Sequence, residues 1–180
     1  MVALITRMLQ LCALFAAASA LGQGDRASEA QVKAAFLYKF GGFIEWPAAA
    51  FSRADSAFVI GVLGAEGAAA ELERVVAGRN IQGRSVVVQK LKRGDSLAGL
   101  HLLFVGQSES GRLAEVLAAA KGHPLLTVTE TDDALTKGSM INFITVEDKV
   151  RFDVALPQAE RGQLKISARL LAVARKVITS

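Results

Sequence analysis

Apolar residues recur at helical spacing near the start of the chain, in the stretch VKAAFLYKFGGFIEWP (residues 32–47). At about 100° per residue several of its side chains share one stripe: Val32, Phe36, Phe40 and Phe43, with Leu37 and Ile44 beside them. Gly41 and Gly42 weaken the last turn of such a helix, and Pro47 disfavours helical backbone at the residue before it. The pattern predicts a core helix followed by an extended segment.

A continuous apolar run at residues 58–63 predicts a strand that is covered on both faces. Apolar segments at residues 84–91, 100–105 and 124–129 predict three further strands. Helical patterns at residues 65–77 and 110–120 lie between them, and strand–helix–strand steps favour parallel crossovers. We therefore expect an α/β fold: a single domain with a mixed, mostly parallel sheet and helices on both faces.

The last third of the chain changes character. Residues 139–146 and 149–155 are joined by Glu147 and Asp148, and the second segment alternates apolar and polar side chains. This predicts a C-terminal antiparallel hairpin at the edge of the sheet. Pro157 is suited to the first turn of a helix. A stripe of Ile166, Leu170, Val173 and Val177 predicts that the chain ends in a packed final helix.

The first twenty residues carry one charge, Arg7, and an apolar run that ends in Ala18-Ser19-Ala20. This is typical of an export signal, here residues 1–20 with cleavage near Ala20, and the run is short for a membrane-spanning helix. Residues 21–28 form a short polar lead, whose Ser28 is spaced from Gln31 as in a capping box. Residues 29–180 form the expected single domain.

Loss of the signal also changes the chemistry that is available. It removes Cys12, the only cysteine, so no disulfide or thiol switch is expected in the mature chain. It lowers the net charge from +4 by the one charge of Arg7, to +3. The remaining basic residues are scattered singly, which argues against nucleic acid as a partner.

The sequence contains only incomplete versions of catalytic motifs. Gly61, Gly64 and Gly67 depart from the dinucleotide fingerprint and precede no phosphate-loop lysine. The segment GQSES at residues 106–110 lies where a nucleophile elbow would, but its fifth residue is serine. His123 also precedes the aspartates that the hydrolase order places before it.

A metal site needs convergent histidine, cysteine or carboxylate ligands, and the chain has only His101 and His123. His101 alternates with strand positions, and we expect a hydrogen-bonded, partly buried side chain. We therefore expect no enzyme activity, no metal and no cofactor.

Small ligands in open α/β sheets lie beyond the carboxyl ends of parallel strands. Small residues and helix N-termini at those ends could hold an anion or a polar ligand; ordinary loop and cap chemistry is the alternative interpretation. The candidate crevice residues are Gly64, Gly67, Gly106, Ser108 and Thr131.

The order of motifs resembles the YfiR-like family of exported bacterial proteins. The resemblance runs from residue 32 to residue 177 and rests on VKAAFLYKFGGFIEWP, FVIGVLG, NIQGRSVVVQKL, HLLFVG, PLLTVTE, GSMINFITVEDKVRFDV and LKISARLLAVARKV. The opening motif and the paired GSMINF and VRFDV blocks are its most specific parts.

The resemblance implies a periplasmic α/β domain without catalytic activity. It implies a regulatory inhibitor that binds the periplasmic sensor region of an inner-membrane diguanylate cyclase, lowers cyclic di-GMP and restrains biofilm formation. Family members can also form homodimers. Redox-responsive members use cysteine pairs, which this mature chain lacks. The competing hypothesis is a periplasmic small-ligand binding protein associated with a transporter or an outer-membrane receptor.

Candidate partner-binding residues are polar positions in apolar segments and aromatic residues that the core stripe leaves out. A polar edge beside an apolar helix could form the rim of a contact patch, and a solvated face is the alternative. The candidates are Tyr38, Trp46, Asn142, Arg151, Asp153, Lys165, Ser167 and Arg169.

Overall fold

The structure is a computed structural model that describes the backbone of residues 21–180 and side chains from residue 29 onward. The predicted export signal, residues 1–20, lies outside the described residues. The first helix, α1, spans Leu21–Gly42 and is followed by a short strand, β1, at Ile44–Glu45. The predicted order, helix first and extended segment last, is confirmed.

Two details of this segment differ from the prediction. The helix includes the polar lead at residues 21–28, so Ser28 lies inside α1 and does not cap it. The lead contains no proline, so none of its residues blocks the extension of the helix, although Gly22 and Gly24 are weak helix formers. The buried stripe is also rotated from the predicted one. It consists of Ala34, Leu37, Phe40 and Ile44, whereas Val32 is 38% exposed.

An eight-stranded sheet forms the centre of the domain. Its strands are β2 Phe58–Leu63, β3 Asn80–Ile81, β4 Arg84–Leu91, β5 Leu102–Val105, β6 Leu126–Thr129, β7 Ile141–Val146, β8 Lys149–Ala155 and β10 Lys176–Ile178. Their spatial order is β10-β8-β7-β6-β5-β2-β4-β3. The five strands β4-β2-β5-β6-β7 run parallel, and the two junctions β7-β8 and β3-β4 are antiparallel. The expected mixed, mostly parallel sheet is confirmed.

Taken in chain order, the parallel strands have the 2-1-3-4-5 arrangement of doubly wound folds. β4, the next parallel strand after β2, lies on one side of β2, whereas β5, β6 and β7 follow on the other side, so the strand order reverses between β2 and β5. Ligands of open α/β sheets usually bind at such a switch point. Its geometry therefore determines whether the predicted crevice is open to a ligand.

Helices cover both faces of the sheet, as predicted. They are α2 Glu66–Val76, α3 Leu113–Ala120 with a preceding 3₁₀ segment at Gln107–Arg112, α4 Leu156–Arg161 and α5 Ala168–Leu171. The larger core packs α1 and α2 against side chains such as Phe58 and Phe104. The smaller core packs α3 against the opposite face, at Leu103 and Val105.

The end of the chain differs from the single packed helix that was predicted. α4 does begin beside Pro157, but the following residues form β9 (Lys165–Ile166), the one-turn α5 and β10. Ile166 of β9 pairs antiparallel with Ile44 of β1, and β10 pairs in parallel with β8. Long-range backbone pairing overrides the local helical pattern here. Because β10 lies outside β8, the hairpin is not the edge of the sheet as predicted.

Candidate functional site

The β7–β8 hairpin extends beyond the strands on either side of it. β6 pairs with β7 only at Ile141 and Asn142, and β10 pairs with β8 only from Asp153 to Ala155. Within the described sheet, residues 144–151 pair only with one another, from Ile144↔Arg151 to Val146↔Lys149. We call residues 144–151 the projecting ribbon. Both of its outer backbone edges are open, which is the arrangement that strand-adding partners use.

The tip of the projecting ribbon is a two-residue turn. Glu147 and Asp148 have φ values of 49° and 57°. Positive φ at both central residues matches the turn type whose twist suits a hairpin. The predicted hairpin is therefore confirmed, with the turn at the predicted residues.

Aromatic packing holds the base of the ribbon against α1. The ring of Phe36 lies 6.0 Å from that of Phe143 and 5.4 Å from that of Phe152, measured between centroids. Phe40 lies 5.0 Å from Phe152 on the same side. The ribbon therefore starts from a rigid, buried platform and not from a loop.

One face of the ribbon combines apolar and basic side chains. Val146 is 39% exposed, Ile144 is half-buried, and Lys149 and Arg151 are exposed. The Arg151 guanidinium donates to the backbone carbonyl of Val150 at 3.2 Å, and this is the only hydrogen bond of that side chain to the described residues. Exposed apolar area beside an arginine is typical of protein contact surfaces.

A groove of about 550 Å³ separates the ribbon from α1. Its α1 side is formed by Glu29, Val32 and Phe36, and its ribbon side by Thr145 and residues 148–151. The groove therefore adds the exposed side chain of Val32 to the surface of the ribbon. Val32, Ile144 and Val146 were not among the predicted site residues. The two-residue period of a strand, which puts Ile144 and Val146 on the same face as Arg151, was the signal that could have identified them.

Two predicted partner-binding residues are buried at the base of the ribbon. Asn142 and Asp153 are each 7% exposed and are cross-strand neighbours. The Oδ1 atom of Asn142 accepts hydrogen bonds from Thr129 Oγ1 at 2.7 Å and from the N–H of Thr131 at 3.2 Å. Asp153 accepts a bond from Arg175 Nε at 2.8 Å, and this bond raises the pKa of Arg175 above its ordinary value. Their side chains position the ribbon and do not face outward.

The remaining predicted partner residues lie on other parts of the fold. Tyr38 donates to the carbonyl of Asn80 at 3.0 Å, and Trp46 donates to the carbonyl of Gly41 at 3.3 Å. Ser167 caps α5, accepting a bond from the N–H of Leu170. Lys165 and Arg169 are exposed on β9 and α5. The structure thus brings Asn142, Arg151 and Asp153 together on the hairpin and leaves the others outside that surface.

The chain itself fills the switch point between β2 and β5. A Cβ atom added to Gly106 would lie 2.2 Å from the carbonyl oxygen of Gly64, so the two turns are in direct contact. Ser108 Oγ donates to the same carbonyl at 2.9 Å. Glu109, 7% exposed, accepts two bonds from Arg93 beside them. Gly64, Gly106 and Ser108 therefore pack against one another instead of lining an open crevice.

Open space at this edge of the sheet lies farther along, between α1 and β7. A cavity of about 580 Å³ is lined by Glu29, Lys33, Gln107, Glu130, Asp132 and residues 143–145. Gly67 borders a neighbouring cavity of about 230 Å³. Thr131 is buried, and its N–H is bound to Asn142.

Charge decides what these cavities could hold. Lys33 bonds to both Glu29 and Glu130, and Glu130 also accepts a bond from the N–H of Gln107 at 2.8 Å. Burial lowers the pKa of Lys33, but the two carboxylates more than offset burial and hold it above its ordinary value. With Asp132, three carboxylates surround one ammonium group, so this edge is a poor site for the anion that the sequence suggested.

His101, one of the two histidines considered as metal ligands, has a structural role. His101 is 3% exposed, its Nδ1 accepts a bond from the N–H of Val59 at 3.1 Å, and its Nε2 lies 3.0 Å from the carbonyl of Ala50. Its ring is stacked between Phe51 and Phe58. Burial lowers the pKa of His101. The predicted hydrogen-bonded side chain is confirmed, and it is more deeply buried than expected.

Between residues 29 and 180, histidine, cysteine and carboxylate side chains form no cluster of three that could hold a metal ion. None of the helices that the structure describes combines the length and the apolar character that are needed to cross a bilayer.

Comparisons with known proteins place the fold in a family. The crystal structure of a conserved domain protein from Vibrio cholerae is similar to this chain, with a TM-score of 0.50 and 12% sequence identity. The similarity covers 68% of this chain and 55% of the length of that chain, and at this identity it concerns the fold alone. A search of curated proteins found no match. A sequence model described as YfiR/HmsC-like matches residues 30–175. This match covers most of the sequence, and the chain belongs to the YfiR/HmsC-like family.

Proposed function

We propose that this protein is a periplasmic, non-enzymatic regulator. It holds a membrane-bound diguanylate cyclase inactive by binding the periplasmic sensor region of that enzyme. Membership of the YfiR/HmsC-like family supports the regulatory role and the compartment. The single observation that carries the mode of action is the projecting ribbon, residues 144–151, with its open strand edges.

The ribbon suits a protein partner better than a small molecule. Its two outer edges offer unpaired backbone groups, and an extended segment of a partner could add to either edge. Val146 supplies exposed apolar area on the ribbon, and Val32 supplies it on the α1 side of the groove. The stiff base made by Phe36, Phe143 and Phe152 limits the entropy that binding would cost.

The face of the ribbon that carries Lys149 and Arg151 favours an acidic segment on the partner, although Glu147 and Asp148 at the tip bring the net charge of residues 144–151 to zero. Lys149 and Arg151 are exposed, and neither takes part in an ion pair among residues 29–180. Charges at the rim of an interface mainly change the rate of association and its salt dependence. Binding should therefore weaken as the salt concentration rises.

A complementation experiment tests this function. Deletion of the gene should raise cellular cyclic di-GMP, and the wild-type gene should restore the lower level. The double variant Val146→Asp, Arg151→Glu should fail to restore it, although the exported protein accumulates normally. Lys92→Glu is the matched control, because Lys92 is exposed after β4, at the far side of the sheet. Full complementation by the ribbon variant would exclude the ribbon, and an unchanged level after deletion would exclude cyclase control.

The homodimer implied by the resemblance is a separate proposal. The open edges of the ribbon could also pair two copies of the chain. Sedimentation of the purified protein at several concentrations distinguishes this arrangement from a monomer. A dimer that persists in the ribbon variant would place the contact elsewhere.

A further inference from the structure

A second concave surface, away from the ribbon and the switch point, has a different character. It lies between the end of α3, the loop that joins β6 to β7 and the end of α4, and its volume is about 440 Å³. We call it the basic pocket. Its walls carry four basic side chains: Lys121, His123, Lys137 and Arg161. Leu117 and Met140 supply apolar surface beside them.

The basic side chains of this pocket lack carboxylate partners. None of the residues that line it is aspartate or glutamate. Lys121, Lys137 and Arg161 also take part in none of the ion pairs found within residues 29–180. Lys33, at the other cavity, is held by two carboxylates. Concentration of one sign of charge in a concave site raises the local concentration of oppositely charged ligands.

Helix ends account for only part of this arrangement. Lys121 follows α3 and Arg161 ends α4, where the free carbonyls of a helix favour cations. That effect does not explain Lys137 or His123, which lie in loops on the pocket wall. It also leaves donors free, because the Arg161 guanidinium gives one hydrogen bond, to Gln158 Oε1 at 3.2 Å.

We propose that the basic pocket binds a small organic molecule that carries phosphate or carboxylate groups. Lys121, Lys137 and Arg161 hold the anionic groups, and Leu117 and Met140 contact an apolar part of the ligand. Three cations of fixed charge match a ligand with two or three negative charges. The volume is in the range of small-molecule sites, about 300–1,000 Å³. This inference does not depend on the proposed cyclase regulation, and no motif in the sequence indicated it.

Isothermal titration calorimetry of the purified exported protein tests the pocket. Inorganic pyrophosphate and citrate serve as the two probes, one for phosphate and one for carboxylate groups, at matched ionic strength. At least one probe should bind saturably in a 1:1 ratio, and its affinity should fall as NaCl is added. The probe that binds identifies the preferred anionic group. The absence of saturable heat with both probes at millimolar concentration would overturn the proposal.

Variants assign the binding to the pocket. Lys137→Gln with Arg161→Gln should weaken the bound probe about 100-fold, since each charged hydrogen bond is worth roughly tenfold or more. Lys39→Gln, an exposed position on α1 outside the pocket, should leave the affinity unchanged. Equal losses in the double variant and the control, or no loss in the double variant, would show that the site is elsewhere.

A steric variant retains every charge and tests the same site independently. A Cβ atom added to Gly162 would lie 2.6 Å from Met140 Cε, and both residues line the pocket. Gly162→Leu should therefore crowd the pocket and weaken the probe about tenfold or more. Circular dichroism of each variant confirms that it is folded before titration. Wild-type affinity in both the charge variant and the steric variant would contradict the proposal.

Discussion

Asn142 and Asp153 face each other across β7 and β8 at the point where the sheet narrows to two strands. Each side chain also makes a hydrogen bond towards a neighbouring strand. Asn142 accepts one from Thr129 at the end of β6, and Asp153 accepts one from Arg175, the residue just before β10. This pair of buried polar residues fixes the base of the ribbon to the strands on both of its sides. The two bonds therefore set the position from which the ribbon projects.

Replacement of Asn142 should destabilise the protein without removing any exposed surface. Asn142→Ala leaves the buried N–H of Thr131 without its acceptor, and an unsatisfied buried group costs about 1–3 kcal/mol. Urea denaturation of the variant measures this loss. Asn80→Ala is the control, because Asn80 is exposed and engages Tyr38 through its backbone carbonyl. Equal stability of the Asn142 variant and wild type would contradict the assigned network.

Loss of the Phe36 ring should loosen the ribbon selectively. Phe36→Ala removes two aromatic contacts with the hairpin and one with Phe40, each worth about 0.5–1.5 kcal/mol beyond the area buried. Hydrogen exchange of residues 144–151 should become about tenfold faster, while exchange in β2 and β5 changes little. Val32→Ala, on the same helix but without ring contacts, serves as the control. A uniform increase across the sheet would mean that Phe36 supports the whole fold rather than the ribbon.

Gly106 should not tolerate even one added methyl group. Its Cβ would lie 2.2 Å from a backbone oxygen of Gly64, which cannot move away as a flexible side chain can. We expect Gly106→Ala to lose about 1–3 kcal/mol of unfolding free energy, the usual cost of overpacking. Thermal or urea unfolding measures the loss.

Gly111→Ala is the matched control for Gly106, because an added Cβ there meets no atom within 4 Å. It should unfold like wild type or at slightly higher temperature. Similar behaviour of the two alanine variants would indicate that the turns after β2 and β5 are not in contact.

His101 should make the stability of the protein depend on pH. Burial lowers the folded-state pKa of His101, the hydrogen bond to the Ala50 carbonyl opposes this, and Arg84 lowers the pKa further. Between the lowered folded value and the ordinary value of 6.5, the unfolded chain binds more protons than the folded chain. The stabilisation is therefore complete above the ordinary value and is lost as the pH falls below it.

Urea denaturation from pH 8 to pH 5 measures this dependence. His101→Gln retains an acceptor for the Val59 N–H but does not titrate. The stability difference between wild type and this variant should shrink as the pH falls. A difference that is constant across the range would show that His101 keeps the same protonation state in the folded and unfolded protein.

Much of the fold could be predicted from the sequence because its strongest signals are local. The bounds of β2 and β4 match the predicted strands, since each is an apolar-rich run that ends at a change of composition. The turn at Glu147 and Asp148 and the α1 helix also follow from short-range pattern. Arg151 is exposed on the hairpin, and its role in partner binding stays a prediction.

Only the tertiary structure decided where distant segments meet. The stripe of residues 166–177 was compatible with a helix, but pairing with β1 and β8 gives strands because those partners supply backbone hydrogen bonds. Asn142 and Asp153 are polar in the sequence, yet their burial depends on Thr129 and Arg175. The basic pocket likewise joins Lys121, Lys137 and Arg161 from three segments. Periodicity reports the environment along one element, whereas a site is defined by elements that pack together from separate parts of the chain.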